Sequence, residues 1–300
     1  MGKEHLNHYR GQINAALHHI NEAIQQDWTE NSIGFQESMS IENLAKTFGM
    51  SKRNFQLCFK TFTHESVGEY VKRIRNEYAL QLLKEGKYNP SQIALRVGFA
   101  NPPALYKFFS KEFDETPSEY KAKFLTETVA PNYQDVEYEI RKMAATPVLF
   151  LPYVGNYDDY AAEFFGDGSW DRLCNYASTH GLLPENEEDM GYWGICYDDT
   201  DFTDADKCRF YACLNIKTFV KLNLTDEIKC MSLPAQWYAV YRHIGAYNDL
   251  EAFYKAILQN IPSGYQLGEG RILERYLNSP RDVNEAELVT EVLLPIIKQK

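Results

Sequence analysis

Residues 44–60 read LAKTFGMSKRNFQLCFK, and residues 92–113 read QIALRVGFANPPALYKFFSKEF. In the first stretch, with Ile41 just ahead of it, Ile41, Leu44, Ala45 and Phe48 fall at i, i+3, i+4 and i+7. That spacing is one apolar face of a short helix, with Ser40 as its N-cap. Gly49 can supply the left-handed residue of a tight helix exit, and Ser51 can cap a second helix predicted over 52–62. Phe55, Phe59 and Phe62 form the inward face of that helix, while Arg53, Gln56, Leu57 and Lys60 form the outer one. A short helix, a glycine turn and a helix with a basic and amide outer face make a helix-turn-helix, whose second helix fits the major groove.

The second stretch repeats this logic. ESVGEY at 65–70 returns as ETPSEY at 115–120, and Phe59 maps to Phe109 at the same offset. Asn89 and Gln92 frame Pro90 as a capping pair, Ile93, Ala94 and Val97 face inward, and Gly98-Phe99-Ala100 turns the chain. Asn101 can cap a helix opening on Pro102 and Pro103, where missing N–H groups cost little. Pro103, Tyr106, Lys107 and Ser110 take the outer stripe. Between the copies, 68–85 reads as one long helix stopped at Gly86. Upstream, Ile13, Leu17, Ile20 and Ile24 lie on one helical stripe, His18-His19 reads as a solvated pair, and 27–38 as an irregular insertion.

From Ser40 to Phe124 the chain resembles the AraC family of bacterial regulators, through LAKTFGMSKRNFQLCFK, RIRNEYALQLL, the second stretch and TPSEY. The resemblance implies base contacts from Arg53, Gln56 and Leu57 and phosphate contacts from Lys52 and Lys60. Arg–guanine and Gln–adenine pairs, and Leu on a thymine methyl, suit those types. In the second unit two prolines replace base-reading side chains, so Asn101, Tyr106, Lys107 and Lys111 are expected mainly to hold the DNA backbone. His64 and Asp114 stand where the recognition helices would ordinarily end on glycine.

Charge divides the chain of 300 residues. Residues 1–126 carry 16 Lys and Arg against 14 Asp and Glu, and residues 127–300 carry 15 against 28. The net of −11 therefore conceals a mildly basic half and a strongly acidic one. With 44% hydrophobic and 14% aromatic residues, both halves can bury cores. No run approaches the roughly 18 apolar residues of a membrane span, and MGKEHLNHYR has no apolar signal region, so a cytoplasmic protein is expected. The six cysteines lack metal or disulfide spacing and read as reduced thiols. No metal or cofactor is expected.

Beyond Thr126 a second duplication appears. YVGNYDDY at 153–160 matches HIGAYNDL at 243–250. Apolar strands are predicted at 147–153 and 236–243, helices at about 157–180 and 247–260, and further strands at 191–198, 208–216, 271–277 and 287–297. The order βαββ, twice, predicts an α+β domain whose ligand site lies at the junction of its halves.

This half resembles the GyrI-like effector-binding domain, through PAQWYAVYRHIG, HIGAYNDL, GICYDDTDFTDADKCRFYACLNI and ILERYLNSP with ELVTEVLLPI. Together the halves look like the Rob-type architecture. The resemblance places Glu274, of the ERYL stretch, in the binding cavity. Trp193, Tyr197, Trp170, Tyr153 and Tyr238 are candidate walls, and a carboxylate beside aromatic faces suits an organic cation. Asp199–Phe210 is acidic, but Asp204 and Phe210 stand where a calcium loop needs Gly and Glu.

The expectation is therefore an all-α double helix-turn-helix DNA-binding domain over 1–126, followed by an α+β GyrI-like domain over 135–300. Such a chain is a transcription regulator, not an enzyme. It binds double-stranded DNA, answers to a cationic or electron-poor aromatic effector, and acts on RNA polymerase, away from membranes. Two other readings stay open: a GyrI-like small-molecule hydrolase, and an acidic protein-interaction domain tethered to DNA.

Overall fold

The computed structural model describes residues 3–26, 28–29, 32–126, 136–157, 168–186, 189–223 and 226–299. Residues 1–127, 201–203 and 223–227 form one compact unit, and residues 128–200, 204–222 and 228–300 another.

The first unit is helical: α1 (Lys3–Gln25), α2 (Ser32–Ser38), α3 (Ile41–Thr47), α4 (Lys52–Thr63), α5 (Val67–Glu85), α6 (Pro90–Arg96), α7 (Pro102–Phe113) and α8 (Pro117–Thr126). The stripe Ile13, Leu17, Ile20 and Ile24 of α1 is buried, and α1 packs on α4 and α5. The segment expected to be irregular instead contains α2. Its anchor is Phe35, buried edge-on against Trp28 at 5.1 Å between ring centroids. A single aromatic in a polar stretch carries no periodicity, which is why the pattern missed this helix.

The duplication is written into hydrogen bonds as well as sequence. The amide of Met50 donates to the carbonyl of Ala45 at 2.9 Å, and 49 residues on Phe99 donates to Ala94 at 2.9 Å. Gly49 and Gly98 sit at φ of 66° and 75°, left-handed as expected. Reciprocal capping boxes open α5, between Ser66 and Glu69, and α8, between Thr116 and Glu119. Phe59 meets Tyr70 edge-on at 5.2 Å, and Phe109 meets Tyr120 at 5.4 Å. The ion pair Glu65–Arg73 returns as Glu115–Lys123. Both recognition helices end in left-handed residues other than glycine, His64 at φ 59° and Asp114 at φ 55°.

The second unit comprises β1 (Tyr138–Lys142), β2 (Thr146–Val154), α9 (Ser169–Thr179), β3 (Tyr192–Cys196), β4 (Arg209–Asn215), β5 (Lys229–Leu233), β6 (Trp237–Ile244), α10 (Leu250–Gln259), β7 (Tyr265–Leu267), β8 (Leu273–Tyr276) and β9 (Val289–Lys298). The strands form an antiparallel sheet in the order β1-β6-β9-β8-β3-β4-β2-β5, with β7 paired to β9. The predicted strands are present, and β1, β5 and β7 come in addition to the βαββ order. Part of the helix expected over 157–180 falls on residues 158–167, outside the described residues.

Strand alternation sorts the apolar runs to two faces. On one, Leu149, Leu151, Phe210, Ala212 and Tyr276 pack with Trp170, Leu173 and Ala177 of α9. Further along, Tyr241, Val292 and Leu294 pack with Phe253 and Ile257 of α10. The opposite face buries chiefly strand residues, among them Phe150, Trp193, Ile195, Tyr211, Tyr238 and Leu293. A sheet buried on both faces needs near-continuous apolar strands, which explains PVLFLPY.

Candidate functional site

In α4, Phe55, Cys58, Phe59 and Thr63 point inward. Cys58 completes the buried face, while Phe62 is only half-buried, with the Arg10 guanidinium over its ring at 5.8 Å. The opposite stripe stands clear. Arg53, Gln56, Leu57 and Lys60, with Thr61, line one open surface hollow. Leu57 is 55% exposed, an apolar side chain on a row otherwise able to donate hydrogen bonds. Lys52 is exposed and ion-paired with Glu42 of α3; such an exposed pair is weak and readily exchanged for a phosphate.

In α7, Pro103, Tyr106, Lys107 and Ser110 are exposed along the matching stripe. Lys111 pairs with Glu112 at 2.7 Å. The Asn101 side chain is committed to the helix, accepting from the Ala104 amide at 3.2 Å. Helix N-termini bind phosphate through free amides. The first turn of α7 has none at Pro102 and Pro103, and its next amide is capped by Asn101. In α4 the cap takes only the Asn54 amide, and Lys52 and Arg53 retain theirs. The two units therefore offer DNA different backbone chemistry.

The carboxylate of Glu274 lies on β8, 3% exposed, opposite Gly194 of β3. Tyr254 of α10 donates to its Oε1 at 2.8 Å and Cys196 Sγ to the same oxygen at 3.4 Å. Tyr276 donates to Oε2. Gly194 makes this possible: a Cβ there would sit on Tyr276 Oη and within 2.9 Å of the Phe210 ring. Burial, and next the charge of Glu274, push the phenols of Tyr254 and Tyr276 and the thiol of Cys196 well above their ordinary values. At neutral pH all three are therefore protonated donors, and the carboxylate receives three hydrogen bonds.

The candidate walls divide between the two faces. Tyr153 and Trp170 share the face of Glu274, Trp170 edge-on to Tyr276 at 6.1 Å. Trp193, Tyr197 and Tyr238 lie on the opposite face. Trp193 carries the Arg275 guanidinium at 5.4 Å, Tyr197 those of Arg209 and Arg271 at 5.2 and 4.9 Å, and Tyr238 accepts from Gln236 at 2.8 Å. Parity decides this. In strand pairing Gly194 stands beside Glu274, so residues 193, 195 and 197 point the other way.

Choosing walls by residue type missed Tyr276, Cys196, Tyr157, Tyr247 and Tyr254. The same parity finds Tyr276 and Cys196, and the 90-residue duplication pairs Tyr157 with Tyr247. Both pack on the Glu274 side, and Tyr157 donates to the Arg209 carbonyl at 2.9 Å. Tyr254 comes from a helix and had no such signal. Among the described residues of this unit three carboxylates are buried: Asp198, Glu274 and Glu291. Asp198 is clamped by Arg209 at 2.6–3.0 Å and Glu291 by Arg141 at 2.9 and 3.1 Å. Among the described residues Glu274 has no cationic partner. No helix among them is long and apolar enough to cross a membrane.

Residues 136–297 match the family model of a GyrI-like small molecule binding domain, and residues 44–123 match that of a helix-turn-helix domain. The chain is 32% identical over 95 residues to regulatory protein SoxS of Salmonella typhimurium, covering 32% of this chain and 87% of SoxS. It is 32% identical over 94 residues to the probable transcription factor PqrA of Proteus vulgaris, covering 31% of this chain and 77% of PqrA. It is 34% identical over 88 residues to histidine kinase P4 of Formosa agariphila, covering 29% of this chain and only 6% of the kinase. Among solved structures, the EcmrR C-terminal domain covers 55% of this chain and 99% of its own, at 17% identity and TM-score 0.42. SAV2435 bound to tetraphenylphosphonium covers 54% and 94%, at 17% identity and TM-score 0.35.

Proposed function

The chain belongs to the GyrI-like small-molecule-binding family and joins that domain to an AraC-type helix-turn-helix reader, and from this premise we propose that it is a DNA-binding transcription regulator switched by an organic cation received at Glu274. DNA binding, transcription regulation and small-molecule binding follow from the family; the nature of the effector and the residues are our reading. We assign reading to 1–126 and sensing to 135–300.

The observation that supports the effector class is the missing countercharge. A buried carboxylate without a cationic partner is costly, and the other two buried carboxylates of the unit have arginines. Phenol and thiol donors hold Glu274 in place but bring no positive charge. A cation with aromatic surface would supply it and stack on the surrounding tyrosines. Calorimetry on the full chain with N-methylquinolinium and neutral 1-methylnaphthalene tests this. Glu274→Gln should weaken the cation far more than its neutral isostere; equal losses would sink the proposal. Binding without turnover is expected, and hydrolysis of a ligand that disappears in Glu274→Gln would point to the enzyme reading instead.

On DNA, Arg53, Gln56 and Leu57 are proposed to read bases, with Lys52 and Lys60 on phosphates. Tyr106, Lys107 and Lys111 are proposed to hold backbone, and Asn101 to keep its role as a cap. RNA polymerase is the partner through which such a regulator would act, and chromosomal DNA makes the cytoplasm its place of action.

A further inference from the structure

The face of the sheet away from Glu274 carries a second arrangement of charge. Arg242 of β6, Glu291 of β9 and Arg275 of β8 stand in one cross-strand row. Arg141 of β1 reaches into it and holds Glu291 with two hydrogen bonds, while Arg242 and Arg275 approach the same carboxylate at 3.7 and 3.8 Å. Glu139 gives Arg141 a second, exposed partner. Glu291 is buried beneath the three guanidinium groups, whose side chains are 30%, 61% and 31% exposed for Arg141, Arg242 and Arg275. Three partly exposed arginines therefore ring a buried carboxylate, with the exposed Glu139 beside Arg141. The next row of the same face is apolar and open: Ile244 and Leu277 flank Val289 and are 64% and 42% exposed.

We propose that this row of arginines and the apolar row beside it form a docking surface for an acidic, amphipathic segment of another protein. Each requirement is met on one face. The arginines are set in place before a partner arrives: Arg141 by two carboxylates, Arg275 by stacking on Trp193 at 5.4 Å. Guanidinium groups held this way pair with carboxylates at low entropic cost. Ile244 and Leu277 give such a segment apolar contacts that a phosphate backbone could not use. A second copy docking through the same patch would set arginine against arginine, because a closed twofold interface must complement itself. The surface is independent of the Glu274 site and goes beyond the effector reading.

The test uses the full chain and a fluorescein-labelled peptide of repeating Glu-Leu-Asp-Ala, followed by anisotropy against a Lys-Leu-Lys-Ala control. Saturable binding of the acidic peptide is expected. It should fall at least about tenfold in Arg242→Glu and in the double variant Arg242→Glu/Arg275→Glu, and weaken with salt. Ile244→Ser/Leu277→Ser should also weaken it, while Glu274→Gln should leave it unchanged. Arg242 is mostly solvent-facing, so its single variant guards against loss of fold, with DNA binding as the check. Equal binding of both peptides, or binding indifferent to Arg242→Glu, overturns the proposal. So does finding that Arg242→Glu abolishes self-association or binding to a nonspecific duplex while peptide binding persists.

Discussion

Glu274 and Glu291 sit on neighbouring antiparallel strands, one register step apart, and face opposite sides of one sheet. Glu274 is met by two phenols and a thiol, Glu291 by three arginines. Among the described residues one carboxylate is supplied with countercharge and the other is not, which separates a structural acid from a candidate ligand acid.

Glu291→Gln should destabilise the protein by about 1–3 kcal/mol, less than a fully buried pair because Arg141 stays partly solvated. Burial alone would raise the Glu291 carboxyl, but the Arg141 hydrogen bonds and the surrounding arginines win and hold it below its ordinary value of 4.5. A carboxylate held low in the folded state stabilises above its unfolded pKa and loses that contribution as acid protonates it. Urea unfolding of wild type and variant should therefore differ most near neutrality and converge as pH falls through the lowered carboxyl pKa of the folded state. A difference that grows in acid would contradict this.

Tyr276→Phe removes one donor to Glu274 and should cost about 1–2 kcal/mol, but much less when Glu274 is already Gln. A double-mutant cycle by chemical denaturation reads the coupling. Gly194→Ala should mimic the loss of the bond, because the added methyl occupies the place of Tyr276 Oη, at about 1–3 kcal/mol. Strict additivity would show that the hydroxyl and the carboxylate do not act together.

Arg53→Ala and Gln56→Ala should each lower sequence-specific DNA binding by roughly 1–3 kcal/mol and relax base preference. Lys60→Ala should weaken all duplexes alike and reduce the salt slope. Because α7 opens on two prolines and a capped amide, substitutions under the second unit should matter less. A selection experiment that returns two equally stringent half-sites would refute that asymmetry.

His64→Gly should stabilise the reader by about 1 kcal/mol. His64 holds φ 59° at the end of α4, a left-handed conformation that costs a residue with a Cβ roughly 1–2 kcal/mol, partly offset by the entropy of glycine in the unfolded chain. Thermal unfolding gives the sign, and a lower midpoint would count against it.

The local structure was largely legible in the order of residues. Caps at Ser40, Ser51 and Asn101, glycine turns at Gly49 and Gly98, and left-handed ends at His64 and Asp114 are decided within a few residues, where side chain and backbone meet directly. The duplications exposed the two helix-turn-helix units and set the predicted strands in order. Short segments without periodicity stayed hidden: α2, which depends on Phe35, and β1, β5 and β7, which exist because a longer strand offers them an edge.

The candidate ligand site was legible only at Glu274, and through resemblance. Aromatic residue types drew in Trp193, Tyr197 and Tyr238, which strand parity turns to the other face. Tyr254 belongs to a helix that returns over the sheet, some twenty residues before the carboxylate it binds. That Glu274 lacks an arginine while Glu291 shares three is likewise written nowhere in their neighbours. Composition and short-range pattern determine which elements form, because those forces act within a turn or two of chain. Which charges end up buried together, and which are left without a partner, is decided by the packing of strands and helices far apart in sequence.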